Sequence, residues 1–184
     1  MKEDLIDQDF FAQNTLTVAR ELLGMKLQYN GCEGIIVETE AYRNDAASHA
    51  VTRPKKGAML RETYGCIYIF FIYGMYHCLN FTTEKEGVGA VLIRAVQPLL
   101  GLEAMKERRQ TNTIKNLTSG PGKLFQAFEF NSGVHGEQVG RSVFLQRYLK
   151  QSSFEIATSS RIGISKAVDL QWRFFIKGND FVSK

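Results

Sequence analysis

The stretch "KLQYNGCEGIIVETEAY", residues 26–42, decides the fold that the sequence predicts. Two β-prone runs flank Asn30 and Gly31, and an Asn-Gly pair between such runs is a strong signal for a tight hairpin turn. The second run is largely apolar, yet it carries Glu38 and Glu40. It therefore predicts a buried strand whose two carboxylates need partners.

More strands follow along the chain. "CIYIFFIYGMYHCLNFTT" is aromatic and β-prone, and it predicts two strands separated at Gly74. "GAVLIRAV" predicts a further strand, which we expect Pro98 to end. Three short strands are predicted near the end of the chain, in "SVFLQ", "SFEIAT" and "WRFFIKG".

Three segments have helical character. "TLTVARELLG" has apolar residues near helical spacing, "LLGLEAMKERRQ" is also helical, and "SGPGKLFQAFEF" opens a helix for which Ser119 is the expected cap. Strands and helices do not alternate in a regular β-α-β rhythm. We therefore expect the α+β class, with an antiparallel β-sheet core flanked by helices in a single compact domain over residues 1–184.

The composition excludes several classes of protein. Three cysteines are an odd number and lie far apart, which favours reduced thiols over a disulfide framework. His77 beside Cys78 is the only hint of a metal, and no second ligand pair follows at the usual spacing, so no metal or organic cofactor is expected. No apolar run of about 18 residues and no signal peptide is found, and a cytoplasmic protein is expected.

The distribution of charge says more than the net charge of +4. Residues 46–61 carry four basic residues and no acid, and residues 106–123 carry five basic residues against one acid. Such segments are typical of a protein with a polyanionic partner. A solvated charged surface is an equally good interpretation of charge alone.

Glu38 and Glu40 share one face of an extended strand, because side chains alternate between faces. One interpretation is structural: a salt bridge to an arginine on a neighbouring strand, with Arg94 the best placed. The other is catalytic, because hydrolases of glycosidic bonds use carboxylates to direct water at an anomeric carbon. In that case Glu40 would be the general base at a sugar C1′.

The aromatic segment also has two interpretations. Phe71 and Phe81 are expected in the core, as is usual for aromatic strand residues. Tyr73 lies at the expected hairpin tip, where a large ring can act as a wedge in a nucleic-acid duplex. Phe70 lies on the opposite face of the strand and could line a pocket.

With these residues in view, the sequence resembles the monofunctional 3-methyladenine (alkyladenine) DNA glycosylases. The resemblance covers nearly the whole chain in the order of "VARELLGMKL", "IVETEAY" with "AASHA", "YIFFIYGMYHCLN", "GAVLIRAVQPLLGLEAMKERR", "LTSGPGKL", "RIGIS" and "RFFIKGN". It implies hydrolysis of the N-glycosidic bond of alkylated or deaminated purines flipped out of duplex DNA, as the start of base excision repair. It also implies a monomer that binds DNA containing a damaged purine, without a lyase step.

The resemblance assigns the reaction to three positions. It implies that Glu40 deprotonates the attacking water and that Arg94 and the main-chain carbonyl of Ile162 share that water. The implied walls of the base pocket are Tyr42, His49 and Phe70, with Asn80 excluding normal guanine. One departure is Phe70 itself, because tyrosine is common in the family at this position.

DNA contacts outside the pocket are also implied. The family's wedge falls on Tyr73, and further DNA-binding positions fall on Met75, Tyr76 and Gly163. Lys123 joins them because the amides at the start of its helix could hold a phosphate. Members commonly have a Pro-Gly-rich segment before the aromatic strand, where this chain has "RETYG".

Two other functions fit parts of the pattern. A carbohydrate glycosidase would use the same two glutamates and would bind without strong salt dependence. A non-catalytic damaged-DNA binding protein would keep the pocket and would be unaffected by Glu40→Gln.

If the chain is bacterial, we expect it to associate with the nucleoid, and if it is eukaryotic, we expect it in the nucleus.

Overall fold

The computed structural model describes residues 4–72 and 76–183, and its main element is an eight-stranded sheet. The strands are β1 (Lys26–Tyr29), β2 (Cys32–Tyr42), β3 (Ile67–Ile72), β4 (Tyr76–Thr83), β5 (Gly89–Leu100), β6 (Phe144–Gln146), β7 (Ile156–Ser159) and β8 (Arg173–Ile176). The helices are α1 (Thr15–Glu21), α2 (His49–Thr52), α3 (Met59–Glu62), α4 (Leu102–Arg109) and α5 (Pro121–Phe128). Short 3-10 helices span Gln8–Ala12, Ile114–Asn116, Ser132–Val134 and Gln151–Ser153.

Strand β2 lies in the middle of the sheet. The strand order in the sheet is β3-β4-β5-β2-β1-β6, and β8 pairs with both β2 and β7. Strand β5 pairs along one edge of β2, so β1 and β8 share the other edge, β1 over its first part and β8 over its second. Neighbours on both edges, with core on its faces, explain why β2 is almost entirely buried.

An irregularity in the pairing of β2 with β5 lies beside the two glutamates. Glu38 is opposite Ala95, whereas Thr39 is opposite Ile93, so the register skips Arg94. Bulges of this kind redirect side chains and are common near functional sites. Here the redirected side chain belongs to Arg94, which reaches both Glu38 and Glu40.

The two faces of β2 serve different purposes. Thr39 faces helix α1 and donates its hydroxyl hydrogen to the main-chain oxygen of Ala19 at 2.8 Å. The main apolar core, which includes Phe11, Leu22 and Phe128, is completely buried around this sheet. The glutamates point away from α1, toward Arg94.

The expected fold class is confirmed, because the sheet is antiparallel throughout and helices flank it. The predicted hairpin turn is also confirmed: Asn30 and Gly31 have φ of 49° and 71°, the left-handed values that this pair adopts readily.

Two local predictions are wrong. Pro98 does not end β5 but lies within it, opposite Gly34. In the part of the chain that the structure describes, no strand pairs with the other edge of β5 at that point, so the missing N–H costs no ladder bond. Ser119 is not the cap of α5, because Gly120 holds that position and Pro121 begins the helix.

The prediction for the aromatic strand is half right. Phe81 is completely buried, as expected. Phe71 is 50 % exposed, and its ring lies against His77 instead of in the core. The predicted break at Gly74 lies outside the described residues.

Candidate active site

A cleft of about 1250 Å³ opens beside β3, β4 and β5. Further walls come from residues 46–60, which include α2, and from the loop of residues 162–166, with Tyr42, Pro121 and His135 also contributing. Many of the sequence-predicted site residues line this one cleft: Tyr42, His49, Phe70, Asn80, Arg94, Ile162 and Gly163. The structure therefore brings these residues together in one cleft, although they come from distant parts of the chain.

Glu40 lies just beneath the cleft surface and is completely buried. Its Oε1 accepts the N–H of Ile162 at 2.7 Å and pairs with Nη1 of Arg94 at 3.2 Å. Its Oε2 accepts the hydroxyl hydrogen of Tyr42 at 2.7 Å. An ionised carboxylate offers about four acceptor positions. These three donors among the described residues leave room for a water molecule as the fourth.

Glu38 is buried in the same way but is bound more completely. Its Oε1 accepts from Nε of Arg94 at 3.0 Å, from Nε of Arg173 at 2.6 Å and from the hydroxyl of Ser183 at 2.8 Å. Its Oε2 accepts the N–H of Ser183 at 2.6 Å. The predicted salt bridge and the candidate general base are therefore both present, because Arg94 pairs with Glu38 and Glu40 together.

Tyr42 connects the carboxylate to the wall of the cleft. Burial, followed by the negative charge of Glu40 and the hydrogen bond to it, raises the pKa of Tyr42 far above its usual value. The phenol is therefore a neutral hydrogen-bond donor. The guanidinium of Arg161 lies 4.6 Å from the centre of the Tyr42 ring and pairs with Asp45 at 2.7 Å. Arg161 thus packs against the ring of Tyr42. The next residue along the chain, Ile162, donates its N–H to Glu40.

The opposite wall is aromatic. The rings of His49 and Phe70 have centroids 3.7 Å apart, and Nδ1 of His49 lies 3.1 Å from the hydroxyl of Tyr68. Burial, with a smaller effect of the Arg53 and Lys56 charges, lowers the pKa of His49 to about 4. The imidazole is therefore neutral at physiological pH.

Asn80 lies between these two walls and is 7 % exposed. Its side-chain amide donates to the main-chain oxygens of Tyr68 at 3.0 Å and Cys78 at 3.3 Å. These bonds hold the side chain in one orientation.

The mouth of the cleft is basic. We use this name for Arg53, Lys55, Lys56 and Lys166, which are all exposed. Among the described residues that line the cleft, none is acidic. The guanidinium of Arg53 lies 5.1 Å from the centre of the Phe70 ring, at the edge of the aromatic wall. The cations predicted in residues 46–61 are thus partly gathered at one opening.

The predicted DNA-binding residues outside the cleft are only partly described. Tyr73 and Met75 lie outside the described residues. Tyr76 is 47 % exposed and packs on the start of α5, where a Cβ added to Gly122 would lie 2.9 Å from its ring. Lys123, on the first turn of α5, lies 3.5 Å from the hydroxyl of Ser119.

Several residues around the site escaped the sequence analysis. Tyr68, Arg161, Arg173 and Ser183 all contact a predicted site residue or Glu38. Tyr68 could have been found, because it lies two residues before Phe70 on the same face of the strand. Arg161 and Arg173 lie in the blocks "RIGIS" and "RFFIKGN" that carry the family resemblance, but the resemblance assigned them no role. No sequence signal pointed to Ser183.

In residues 4–72 and 76–183, no group of three or more metal-ligating side chains is found. Over the same residues, no helix has both the length and the apolar character needed to cross a membrane.

Comparison with known proteins identifies the family. Residues 9–180 match the family described as methylpurine-DNA glycosylase. A protein of Prosthecochloris aestuarii is 44 % identical over 188 residues, covering 96 % of this chain and 90 % of that protein. One from Agrobacterium fabrum is 43 % identical (97 % and 92 % covered), and one from Clostridium perfringens strain SM101 is 41 % identical (97 % and 98 % covered).

Each of these relatives bears the name "Putative 3-methyladenine DNA glycosylase". The resemblance found in the sequence is thereby confirmed, and both the carbohydrate glycosidase and the non-catalytic binding protein are set aside. This chain belongs to the methylpurine-DNA glycosylase family, and it is a DNA glycosylase of DNA repair.

Proposed function

We propose that this enzyme hydrolyses the N-glycosidic bond of an alkylated purine that has been turned out of duplex DNA into the cleft. The observation that carries the proposal is the state of Glu40. This carboxylate is buried under the cleft, is held by three donors and keeps one acceptor position. A carboxylate so placed can orient a water molecule and accept its proton.

The chemistry needs few groups. Water bound to Glu40 gives a proton to the carboxylate as its oxygen forms a bond to C1′ of the sugar. The bond from C1′ to the base breaks, and its electron pair leaves with the base. If the base is a cation, it departs as a neutral molecule and needs no general acid.

Arg94 and Ile162 keep the base catalyst in place. Both bind Oε1 of Glu40. Oε2 accepts from the hydroxyl of Tyr42, and the remaining acceptor position for a water molecule is therefore on Oε2. The amide of Ile162 makes this contact. The further role of its carbonyl oxygen, as a partner of the water, stays a prediction.

The walls of the cleft favour a cationic purine. A ring between Tyr42 on one side and the His49–Phe70 pair on the other would meet aromatic faces, and cations bind such faces favourably. His49 with a pKa of about 4 adds no positive charge to oppose the substrate. We expect faster release of 7-methylguanine or 3-methyladenine than of hypoxanthine, a neutral lesion. Equal or faster release of hypoxanthine would count against the preference.

Base flipping is proposed from the wedge position. Tyr73 lies outside the described residues, and in the sequence it follows directly on β3. We expect Tyr73→Ala to weaken flipping, measured by the fluorescence of a 2-aminopurine next to the lesion, with the unfolding midpoint unchanged. A variant that no longer folds would mean that Tyr73 is a core residue.

We further propose that residues 1–184 act as one glycosylase domain and as a monomer. The family match over residues 9–180 and the gathering of the cleft residues on one sheet support this view. Damaged duplex DNA is the proposed partner, bound through the basic mouth and the start of α5.

The deciding experiment compares the wild type with Glu40→Gln. Each is incubated with a duplex that carries one 7-methylguanine, called here the lesion duplex, and hot alkali then converts abasic sites into strand breaks. We expect the single-turnover rate of Glu40→Gln to fall by at least roughly 10²-fold, the usual worth of a general base, with the Kd for the lesion duplex nearly unchanged.

Glu155→Gln is the matched control, because Glu155 is 68 % exposed at its side chain and forms a surface ion pair with Lys177. It should cut at the wild-type rate. Cutting by Glu40→Gln at that same rate would remove Glu40 from the reaction.

A further inference from the structure

The binding of Glu38 sets it apart from a catalytic carboxylate. Three donors converge on its Oε1 and a fourth reaches Oε2, all within 3.0 Å. It is completely buried and is absent from the lining of the cleft. Its role must therefore be exerted through the groups that it binds.

Arg94 is the group that connects Glu38 to the reaction. Its Nε lies 3.0 Å from Glu38 and its Nη1 lies 3.2 Å from Glu40, so two edges of one planar guanidinium hold two carboxylates. Two negative charges that share one cation compete for it. The competition would draw Arg94 toward whichever carboxylate has fewer other partners.

Arg173 removes that competition. Its Nε lies 2.6 Å from Glu38, and its other nitrogens donate to the hydroxyl of Ser159 at 2.9 Å and to the main-chain oxygen of Ser183 at 3.1 Å. The buried cluster then contains two carboxylates and two guanidinium groups. With Glu38 neutralised by Arg173, the charge of Arg94 remains for Glu40.

Ser183 closes the cluster. Its N–H and its hydroxyl both donate to Glu38, and the hydroxyl oxygen accepts from Nη2 of Arg94 at 3.3 Å. A hydroxyl has one donor and two acceptor positions, so both bonds can form together. Ser183 thus contacts Glu38, Arg94 and Arg173 at once and fixes their distances.

We infer that Arg173 and Ser183 are positioning residues for the glycosylase reaction: by binding Glu38 they hold Arg94 in the orientation in which it reaches Glu40. The inference rests on the proposed role of Glu40 and Arg94. Neither Arg173 nor Ser183 lines the cleft. Their replacement should therefore slow the chemical step and leave DNA binding intact.

The first test measures single-turnover cleavage of the lesion duplex, and its Kd, for Arg173→Met, Arg173→Lys and Ser183→Ala. A displacement of about 1 Å in a catalytic group can cost up to 10²-fold in rate. We expect a loss of roughly tenfold or more for Arg173→Met, partial recovery in Arg173→Lys and a smaller loss for Ser183→Ala, each with Kd within about twofold of the wild type. Should Arg173→Met fail to fold, Ser183→Ala decides the question.

The second test asks whether the effect passes through Arg94. Ser183→Ala is combined with Arg94→Lys, which keeps the positive charge but replaces the rigid planar guanidinium, with its separate Nε, Nη1 and Nη2 donors, by a single nitrogen. If Ser183 acts by holding Arg94, its loss should cost little more in this background, so that the two rate effects do not add.

Several outcomes would overturn the inference: wild-type rates in Ser183→Ala and Arg173→Met, rate losses that multiply in the double variant, or a parallel loss of DNA binding. Its failure is distinct from failure of the proposed function. If only the inference fails, Glu40→Gln still cleaves at least roughly 10²-fold more slowly than the wild type, whereas if the proposed function fails, Glu40→Gln cleaves at the wild-type rate. Lys177→Ala, a surface ion-pair partner of Glu155, is the neutral control.

Discussion

The charged residues beneath the cleft are buried and paired with one another, whereas those at its mouth are exposed and all basic. We use the name floor for the buried cluster beneath the cleft, of which Arg94 lines the cleft itself. Its members have side chains at most 12 % exposed and pair with one another: Glu38, Glu40, Arg94 and Arg173. The mouth holds four exposed cations, and no acid is among the described residues that line the cleft.

The difference follows from the cost of burying charge. Ions removed from water need paired partners and full hydrogen bonding, and such pairing fixes geometry. Exposed cations keep their hydration and their freedom to meet a polyanion, but salt screens them. The floor is therefore suited to set the rate of the chemical step, and the mouth to set affinity for the DNA backbone.

The largest effect should come from breaking the floor. Arg94→Ala leaves two buried carboxylates with one cation fewer, and loss of one partner of a buried ion pair costs about 3–5 kcal/mol. We expect the free energy of unfolding, measured by urea denaturation, to fall by about that amount.

Lys177→Ala is the comparison, since its pair with Glu155 is 60 % and 68 % exposed at the two side chains. Pairs of this kind contribute about 0–1 kcal/mol. Similar losses in the two variants would mean that burial does not distinguish the floor from the surface.

An intermediate effect is expected at the mouth. The double variant Lys55→Ala, Lys56→Ala should bind the lesion duplex about tenfold more weakly. If both lysines contact phosphates, the negative slope of the logarithm of the binding constant against the logarithm of salt concentration should become shallower by about two. The single-turnover rate at saturating protein should stay at the wild-type value. An unchanged salt slope would place both lysines away from the DNA backbone.

A smaller effect concerns His49, which lies between the floor and the mouth. Its pKa of about 4 in the folded protein is below the unfolded value of 6.5. The unfolded chain therefore binds a proton first, and stability is lost as pH falls from about 6.5 toward 4.

When the pH is lowered from 7 to 5, the free energy of unfolding should decrease by about 1 kcal/mol less in His49→Gln than in the wild type. This value allows for solvent screening of a partly exposed ring. Urea denaturation at the two pH values measures it. Equal pH dependence in the two proteins would show that the ring is protonated as readily in the fold as outside it.

The floor was only partly predictable from sequence. Alternation along β2 placed Glu38 and Glu40 on one face, and the strand run around Arg94 made that arginine the natural partner. From the sequence, a salt bridge and a general base were alternative roles for these glutamates. The sequence could not show that the guanidinium of Arg94 pairs with both Glu38 and Glu40. Arg173 and Ser183 lie 135 and 145 positions from Glu38, and no periodic pattern connects them.

The wrong predictions have two physical reasons. Phe70 and Phe71 are apolar neighbours on opposite faces of β3, and alternation alone does not say which face meets the core. Phe70 is 9 % exposed against His49, whereas Phe71 is 50 % exposed. Pro98 and Ser119 were judged by local preference, which tertiary pairing at the edge of β5 overrides.

The pairing of β1 and β8 along one edge of β2 also has a consequence for folding during synthesis on the ribosome. Glu38, Glu40 and Arg94 leave the ribosome long before β8 and Ser183, which complete their neutralisation. Until then, two acids compete for one guanidinium in a sheet that lacks part of its pairing. An unfinished chain therefore cannot hold the floor in its final geometry. On the inference that Ser183 helps to hold Arg94, we expect glycosidic cleavage to reach its full rate only once residue 183 has been made and docked.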